Sequence, residues 1–148
     1  MVSFLILNGP NLNMLGKRDA AIYGSKTLAE VNQEISWVAN ELSVEVIFYQ
    51  SNVEGELVNC IQEHWDKVQG IVLNAGALTH YGLSLKDALI DSRLPVVEVH
   101  LSNPGSRDRW RRTSVITDIA RGQIAGFGWR SYTSALKVLA EIVEEESR

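Results

Sequence analysis

Five short apolar runs alternate with segments of helical periodicity, and this alternation limits the fold more than any other feature of the chain. The runs lie at residues 4–7, 44–49, 71–73, 96–99 and 124–127. Most are continuously apolar, which is typical of strands that are covered on both faces. Strands that alternate with helices imply right-handed crossovers and a parallel sheet. The sequence therefore predicts an α/β protein with a doubly wound five-stranded parallel sheet and helices on both faces.

The helical segments are marked by apolar residues at intervals of three and four. The first begins with a predicted capping box, in which Thr27 and Glu30 satisfy each other's backbone amides. Its apolar face consists of Leu28, Val31, Ile35, Val38 and Leu42. The later helices are marked by Leu57, Ile61, Trp65 and Val68, by residues 83–90, and by Tyr132, Leu136, Leu139 and Val143.

The length of 148 residues predicts one domain over residues 1–148, large enough to bury roughly 70% of the unfolded chain's surface. By fold analogy we expect a flavodoxin-like domain with strand order 2-1-3-4-5. A net charge of −4 argues against a nucleic-acid partner. The longest apolar runs fall far short of ~20 residues, so we expect no membrane span, and we expect the first residues to form a strand and a loop rather than a signal peptide.

The single cysteine, Cys60, cannot form an internal disulfide, which favours a reducing, cytoplasmic setting. Its helical context predicts a buried packing residue rather than a nucleophile. His64, among polar residues on the same helix, is predicted to be a surface residue.

Three polar loops each follow directly on an apolar strand, at residues 8–13, 74–80 and 98–103. Ligands of parallel α/β sheets bind outside the carboxyl ends of the strands. The three loops therefore predict one shared site. Long polar connections at residues 9–25 and 104–112 would border it, and the first carries glycines that suit a hinged lid.

The titratable groups that this edge of the sheet could bring together are Arg18, Tyr23, His80, His100, Arg107 and Arg111. This set suits an anionic small substrate and proton transfer. The chain has no Cys/His cluster and no serine elbow, and Gly126 and Gly128 lack the third glycine of a dinucleotide motif, so neither a metal nor a cofactor is expected.

The sequence allows two interpretations of the role of Tyr23 and two of the role of His100. A tyrosine base needs its phenolate stabilised by roughly 4 kcal/mol relative to the free side chain, and Arg18 could supply that charge to Tyr23. Tyr23 could equally be a lid residue beside a solvated arginine. His100 is either a functional residue or a satisfied core histidine, and Glu98 on the same strand face could orient its ring.

Four motifs, at residues 8–16, 23–24, 74–80 and 98–103, resemble those of the type II 3-dehydroquinate dehydratases. The resemblance covers essentially the full length, with the motifs in the same order and spacing. It implies a cofactor-free hydro-lyase of flavodoxin-like fold that converts 3-dehydroquinate to 3-dehydroshikimate through an enolate. It also implies a homododecamer built from trimers.

The resemblance implies a role for each matching residue. Tyr23 becomes the base and Arg18 the residue that activates it, while Asn11 holds a water against the enolate. His100 becomes the proton donor, oriented by Glu98. The residues implied to bind substrate are Asn74, His80, Leu101, Ser102, Arg111 and, from a neighbouring subunit, Asp87.

The chain departs from the family pattern beside the implied site. Asp19-Ala20 replaces Glu-Pro, which widens the conformations open to the lid. Pro104-Gly105-Ser106 replaces an apolar residue, histidine and alanine, Arg112-Thr113 stands where histidines are common, and Trp110 replaces a phenylalanine. The altered loops motivate a second hypothesis, a paralogue that binds a related cyclic acid without catalysis. A third hypothesis is a flavodoxin-like module that binds FMN.

Overall fold

The computed structural model describes every residue from Met1 to Arg148 and contains one five-stranded sheet in which every pairing is parallel. The order of the strands is β2-β1-β3-β4-β5, which confirms the predicted 2-1-3-4-5 order. The strands are β1 (Ser3–Asn8), β2 (Glu45–Gln50), β3 (Gly70–Asn74), β4 (Val96–His100) and β5 (Gly122–Ala125).

Helices cover both faces of the sheet, as predicted. They are α1 (Ala20–Tyr23), α2 (Leu28–Leu42), α3 (Glu54–His64), α4 (Leu83–Ser92) and α5 (Arg130–Glu146). α2 packs beside α5 on one face, and α3 packs beside α4 on the other. None of these helices combines the length and the apolar character needed to cross a bilayer.

The interior strand β1 explains why the strand sequences are continuously apolar. Phe4 and Ile6 point into the core beneath α2 and α5, whereas Leu5 and Leu7 point into the core beneath α3 and α4. All four side chains are fully buried. Burying a side chain of this size contributes about 1.5–3 kcal/mol, so both faces of the strand stabilise the fold.

The start of α2 confirms the predicted capping box. The Thr27 hydroxyl accepts from the Glu30 amide, and the Glu30 carboxylate accepts from the Thr27 amide at 3.1 Å. The predicted apolar face is confirmed at Val31 and Ile35 but is wrong at Leu42, which is exposed. Ala39 is the residue that packs near the helix end.

Two predicted boundaries are wrong. α3 ends at His64, so Trp65 and Val68 follow the helix, and Val68 is buried in the turn that leads to β3. β5 begins at Gly122, two residues before the predicted run, and stops before Gly126. The strand ends early because Gly126 has a φ of +93°, which is not an extended conformation. It begins early because Gly122 and Gln123 lie on an exposed part of the edge strand, where no apolar side chains are required.

The cysteine prediction is confirmed, and the histidine beside it is less exposed than predicted. Cys60 is buried, and burial raises the pKa of its thiol to about 11, so it remains protonated at neutral pH. His64 is half-buried because its Nδ1 lies 2.8 Å from the Cys60 carbonyl oxygen and donates to it.

Candidate active site

A cavity of about 110 Å³ opens at the carboxyl ends of β1, β3 and β4, where the three polar loops were predicted to meet. Nine of the eleven residues singled out from the sequence line it: Asn11, Arg18, Tyr23, Asn74, His80, His100, Leu101, Ser102 and Arg111. The other two, Glu98 and Asp87, lie outside its lining. Its small volume suits a compact ligand better than a flavin nucleotide.

Two glycines let the loops after β1 and β3 interlock at the floor of the cavity. A Cβ atom on Gly9 would lie 2.4 Å from the carbonyl oxygen of Ala75, so only glycine fits there. Gly76 has a φ of +60°, and its Cβ would lie 2.8 Å from the carbonyl oxygen of Pro10. The backbones of the two loops therefore touch directly, which fixes their relative position.

Asn11 sits at the turn of the first loop in a left-handed conformation, with a φ of 71°. Asparagine tolerates this region better than most residues. Its backbone amide donates to Asn52 Oδ1 at 2.9 Å, and Gln50 donates to the same oxygen at 3.1 Å. The residues after β2 thus hold Asn11 at the cavity wall.

Glu98 and His100 lie on the same face of β4, as predicted, and are hydrogen-bonded. His100 Nε2 is 2.5 Å from Glu98 Oε2. A carboxylate only accepts hydrogen bonds, so Nε2 carries the proton that is shared with Glu98. Nδ1 is therefore the ring nitrogen of His100 that remains for a ligand.

Three hydroxyl groups complete the surroundings of the fully buried Glu98 carboxylate. Thr79 and Thr117 donate to it at 2.5 and 2.6 Å, and Ser114 donates at 3.1 Å. Burial alone would raise the pKa of Glu98, but the hydrogen bonds from His100, Thr117 and Thr79 together outweigh it and hold the pKa below its usual value. Glu98 is therefore ionised when the site is intact.

Two guanidinium groups lie close to the Tyr23 ring. The Arg18 guanidinium carbon is 3.7 Å from the centre of the tyrosine ring, and that of Arg107 is 5.1 Å away. Both distances are within the range of cation–π attraction. Two arginines therefore lie beside the one tyrosine that lines the cavity.

The departure at Asp19-Ala20 has a structural counterpart in the short helix α1. The Asp19 side chain accepts from the Ala21 amide at 3.0 Å and caps the helix that carries Tyr23. An aspartate at this position stabilises a helix start. The N-cap therefore provides local order in a segment where the proline is absent.

His80 is held by the loop that follows β4. Its Nδ1 lies 2.5 Å from the Thr113 carbonyl oxygen, so Nδ1 is protonated and Nε2 is free to accept. Trp110 packs edge-on against the His80 ring, with the ring centres 5.0 Å apart, and the Arg111 guanidinium lies 4.1 Å from the Trp110 ring. Trp110 thus supports two cavity residues at once.

The departure at residues 104–106 forms a capped 3-10 turn. The Asn103 side chain accepts from the Gly105 amide at 3.1 Å, and Ser106 Oγ donates to the Asn103 carbonyl oxygen. The turn ends at Arg107, whose Nη1 lies 3.4 Å from Ser102 Oγ. It therefore delivers Arg107 to the cavity beside Tyr23.

The lining of the cavity contains three arginines and no aspartate or glutamate, although the whole chain has a net charge of −4. Two histidines also line it. No group of three or more His, Cys, Asp or Glu side chains is placed to hold a metal ion. The cavity is suited to a compact anion.

The structure adds lining residues that were not assigned to the site from the sequence. They are Pro10, Leu12, Gly76, Ala77 and Pro104. Arg107 also lines the cavity, as expected of a candidate titratable group, and the glycine of the 74–80 loop was a visible signal for a close backbone approach. Asp87 is exposed on α4, outside the cavity of its own chain.

Comparison with known proteins gives a consistent result. The family model "Dehydroquinase class II" matches residues 2–140. A 3-dehydroquinate dehydratase from Herpetosiphon aurantiacus is 50% identical over 135 residues, which cover 91% of this chain and 94% of that protein.

Two solved structures share the fold over nearly the whole chain. The type II dehydroquinase from Butyrivibrio crossotus superposes with a TM-score of 0.90 at 39% identity, covering 93% of this chain and 97% of that one. The type II dehydroquinase from Propionibacterium acnes gives 0.91 at 35% identity, covering 95% and 97%. On these grounds the chain belongs to the class II dehydroquinase family.

Proposed function

We propose that this protein is a 3-dehydroquinate dehydratase, a hydro-lyase that converts 3-dehydroquinate to 3-dehydroshikimate and water. The observation that carries the proposal is the cavity lined by three arginines, two histidines and one tyrosine, with no carboxylate. The substrate is a compact carboxylate, which matches the charge and the size of this cavity. The named relative's activity and the family membership support the same reaction.

The reaction begins at Tyr23. Its phenolate removes the proton alpha to the C3 ketone, and the electron pair of that C–H bond forms an enolate. Arg18 and a water held by Asn11 stabilise the charge on the enolate oxygen, in the manner of an oxyanion site. The contact of Arg18 with the Tyr23 ring supports this assignment, because it brings the cation close to the proposed base.

His100 completes the reaction as the proton donor. The enolate collapses, the C1 carbon–oxygen bond breaks, and the departing hydroxyl takes a proton to leave as water. Because Nε2 is tied to Glu98, the proton comes from Nδ1 of a doubly protonated ring. Glu98 fixes the ring orientation and stabilises the imidazolium through its ionised carboxylate.

The remaining cavity residues bind the substrate. Asn74, His80 and Arg111 supply hydrogen bonds and positive charge, and the backbone amides at Leu101 and Ser102 receive the substrate carboxylate. This division assigns the two reacting groups to different segments, with Tyr23 on α1 and His100 at the end of β4.

A direct assay tests the proposal. Purified protein is mixed with 3-dehydroquinate, and the ultraviolet absorbance of the conjugated product is followed. A rise in absorbance whose rate scales with enzyme concentration supports the proposal. If folded protein gives no rise, the proposal is wrong. Borohydride added with the substrate should not inactivate the enzyme, since this mechanism forms no imine.

The same preparation separates the two alternatives. Calorimetric binding of 3-dehydroquinate without turnover would indicate the non-catalytic paralogue, and yellow absorbance of the purified protein would indicate a flavin module. The reaction serves both aromatic biosynthesis and quinate breakdown. Growth of a dehydroquinase-deficient strain without aromatic supplements, when it expresses this chain, tests the biosynthetic assignment. A lone buried thiol suits the cytoplasm as its location.

We further propose that the active assembly is a homododecamer of trimers in which Asp87 reaches a neighbouring cavity. Leu83, Asp87 and Ile90 share one face of α4 through their spacing of four and three residues. Leu83 and Ile90 are 62% and 49% exposed, so this face presents apolar surface around the carboxylate. A second copy that covers the face would bury both side chains.

Light scattering tests the assembly. A dodecamer of the 16.5 kDa chain has a mass of about 198 kDa, twelve times that of the monomer. Leu83→Glu should lower the mass to that of smaller species and reduce turnover, because the cavity loses the neighbouring Asp87. A monomer with full activity would contradict the assignment of Asp87.

A further inference from the structure

Tyr132 on α5 is a fully buried tyrosine whose hydroxyl lies at the carboxyl ends of two central strands. It donates to Asn8 Oδ1 at 2.6 Å and lies 2.8 Å from Asn74 Nδ2, from which it accepts. Asn8 and Asn74 are register partners across β1 and β3. The phenol therefore joins the two strand ends beneath the cavity.

The donor and acceptor chemistry leaves one arrangement for this group. The Gly76 amide can only donate, and it donates to Asn74 Oδ1 at 3.1 Å. The Asn74 amide nitrogen must then face Tyr132, whose oxygen accepts from it. The Tyr132 proton is left to point at Asn8. The chain of hydrogen bonds runs in one direction from Asn74 through Tyr132 to Asn8.

This arrangement leaves one polar group of Asn74 unassigned. Its oxygen is taken by Gly76 and one N–H by Tyr132, so the second N–H is available to the cavity that Asn74 lines. Burial also raises the pKa of Tyr132, so the phenol keeps its proton and cannot serve as a base. The Tyr132 hydroxyl therefore reaches the cavity lining through its hydrogen bond to Asn74.

We propose that Tyr132 is a positioning residue: it locks the amide of Asn74 so that an N–H, and not the oxygen, faces the substrate. The inference rests on the proposed function and deepens it, because it assigns Asn74 as a donor to an oxygen of the substrate. A rotated amide would present its oxygen to that substrate oxygen, and the two acceptors would repel each other.

The test is a double-mutant cycle on Tyr132→Phe and Asn74→Ala. Tyr132→Phe keeps the ring in the core and removes only the hydroxyl. We expect KM for 3-dehydroquinate to rise about tenfold while kcat stays within about threefold, since the lost interaction binds substrate and transition state alike. In the Asn74→Ala background, the same change should alter KM less than about twofold.

Two results would overturn the proposal. One is an equal rise of KM in both backgrounds, which would mean that Tyr132 acts by a general structural effect. The other is an unchanged KM in folded Tyr132→Phe protein. Tyr49→Phe is the matched control, because this tyrosine contacts Glu56 outside the cavity and should leave KM unchanged.

A second variant covers the case in which Tyr132→Phe does not fold. Asn8→Ala removes the acceptor of the phenol proton, so the hydroxyl is free to turn toward Asn74 and rotate its amide. KM should rise in the same direction, and an unchanged KM in this folded variant would also overturn the proposal.

A binding measurement separates this proposal from the proposed function. The same cycle is run in the Tyr23→Phe background, with the affinity for 3-dehydroquinate measured by calorimetry. If the parent protein binds 3-dehydroquinate without turnover, the proposed function fails while the coupling between Tyr132 and Asn74 is still measured. Additive effects on affinity would then overturn the positioning role, and non-additive effects would support it.

Discussion

The two sides of the cavity are built in different ways. The strand-end half consists of the lining residues Asn74 and His100 together with Glu98, which is hydrogen-bonded to His100; all three are buried at the ends of β3 and β4. The loop half consists of Arg18, Tyr23, Arg107 and Arg111, which are half-buried on the long connections. Hydrogen bonds hold the first half, whereas the second is held mainly by stacked side chains.

The difference in construction implies a division of work. A buried hydrogen bond to a charged group contributes about 1.5–3 kcal/mol, and a cation–π contact at an exposed site contributes about 0.5–1 kcal/mol. The strand-end half therefore keeps its geometry before substrate arrives. We therefore expect the loop half to be the part that opens and closes when substrate binds.

The largest expected effect comes from removing the base in the loop half. Tyr23→Phe should lower kcat by about 10³-fold, because the phenylalanine ring keeps the stacking but has no oxygen to take the proton. Calorimetry should find the affinity for 3-dehydroquinate largely retained. Turnover of the variant at more than a tenth of the parent rate would show that another group is the base.

The strand-end half is broken most directly by Glu98→Gln. The amide introduces an N–H among four donors, so the His100 ring loses its fixed orientation, and we expect kcat to fall about 10²-fold. Unfolding in urea should also show a loss of about 1–3 kcal/mol, since a buried polar network loses a partner. Glu41→Gln, at an exposed position on α2, is the control and should change neither quantity.

The Glu98→Gln variant should also change how the free energy of unfolding depends on pH. The pKa of Glu98 lies below its unfolded value, so its contribution to stability is present at pH values above that unfolded value and is lost as the pH falls through the folded-state pKa. The difference in unfolding free energy between the parent and Glu98→Gln should therefore shrink as the solution is acidified. A difference that grew toward acid would contradict the ionised, hydrogen-bonded carboxylate.

Within the loop half, the two arginines beside Tyr23 should differ in how much they contribute to kcat. Arg18→Lys should lower kcat about 30-fold and Arg107→Lys about 10-fold, because lysine cannot stack as a planar cation and Arg18 lies closer to the ring. Arg109→Lys, exposed on the same connection and outside the cavity, is the matched control. A larger effect of Arg107→Lys would reverse the assignment between the two.

The smallest expected effect concerns Trp110, which supports the loop half from outside. Trp110→Ala should raise KM about threefold with little change in kcat, because His80 loses an edge-on aromatic contact. Trp110→Phe keeps an aromatic edge and should stay within about twofold of the parent. Trp37→Ala removes an exposed tryptophan on α2 and controls for general effects of the substitution.

The two halves also differ in how far the sequence predicts them. Glu98 and His100 were paired from the two-residue period of a strand, and the structure confirms that they share a face and a hydrogen bond. The helices were found in the same way from periods of three and four residues. These predictions succeed because a local backbone geometry decides which side chains point together.

The loop half was less predictable. Arg107 was visible only as one member of a basic stretch, and its contact with Tyr23 joins residues 84 positions apart through two irregular connections. Tyr132 was predicted only as part of an apolar helix face, and its contacts with Asn8 and Asn74 could not be read from that pattern. No sequence pattern predicted that the hydroxyls of Thr79, Ser114 and Thr117 would surround the Glu98 carboxylate.

The sequence by itself determined the α/β class, the edge of the sheet that carries the site, and most of the side chains there. These depend on apolar periodicity and on the position of polar residues after strands, which act over a few residues. Only the tertiary structure decided which groups touch: the two arginines on Tyr23, the hydroxyls on Glu98 and the phenol behind Asn74. Such contacts join distant segments, and they form only when the packing of two separate cores brings the loops to one edge of the sheet.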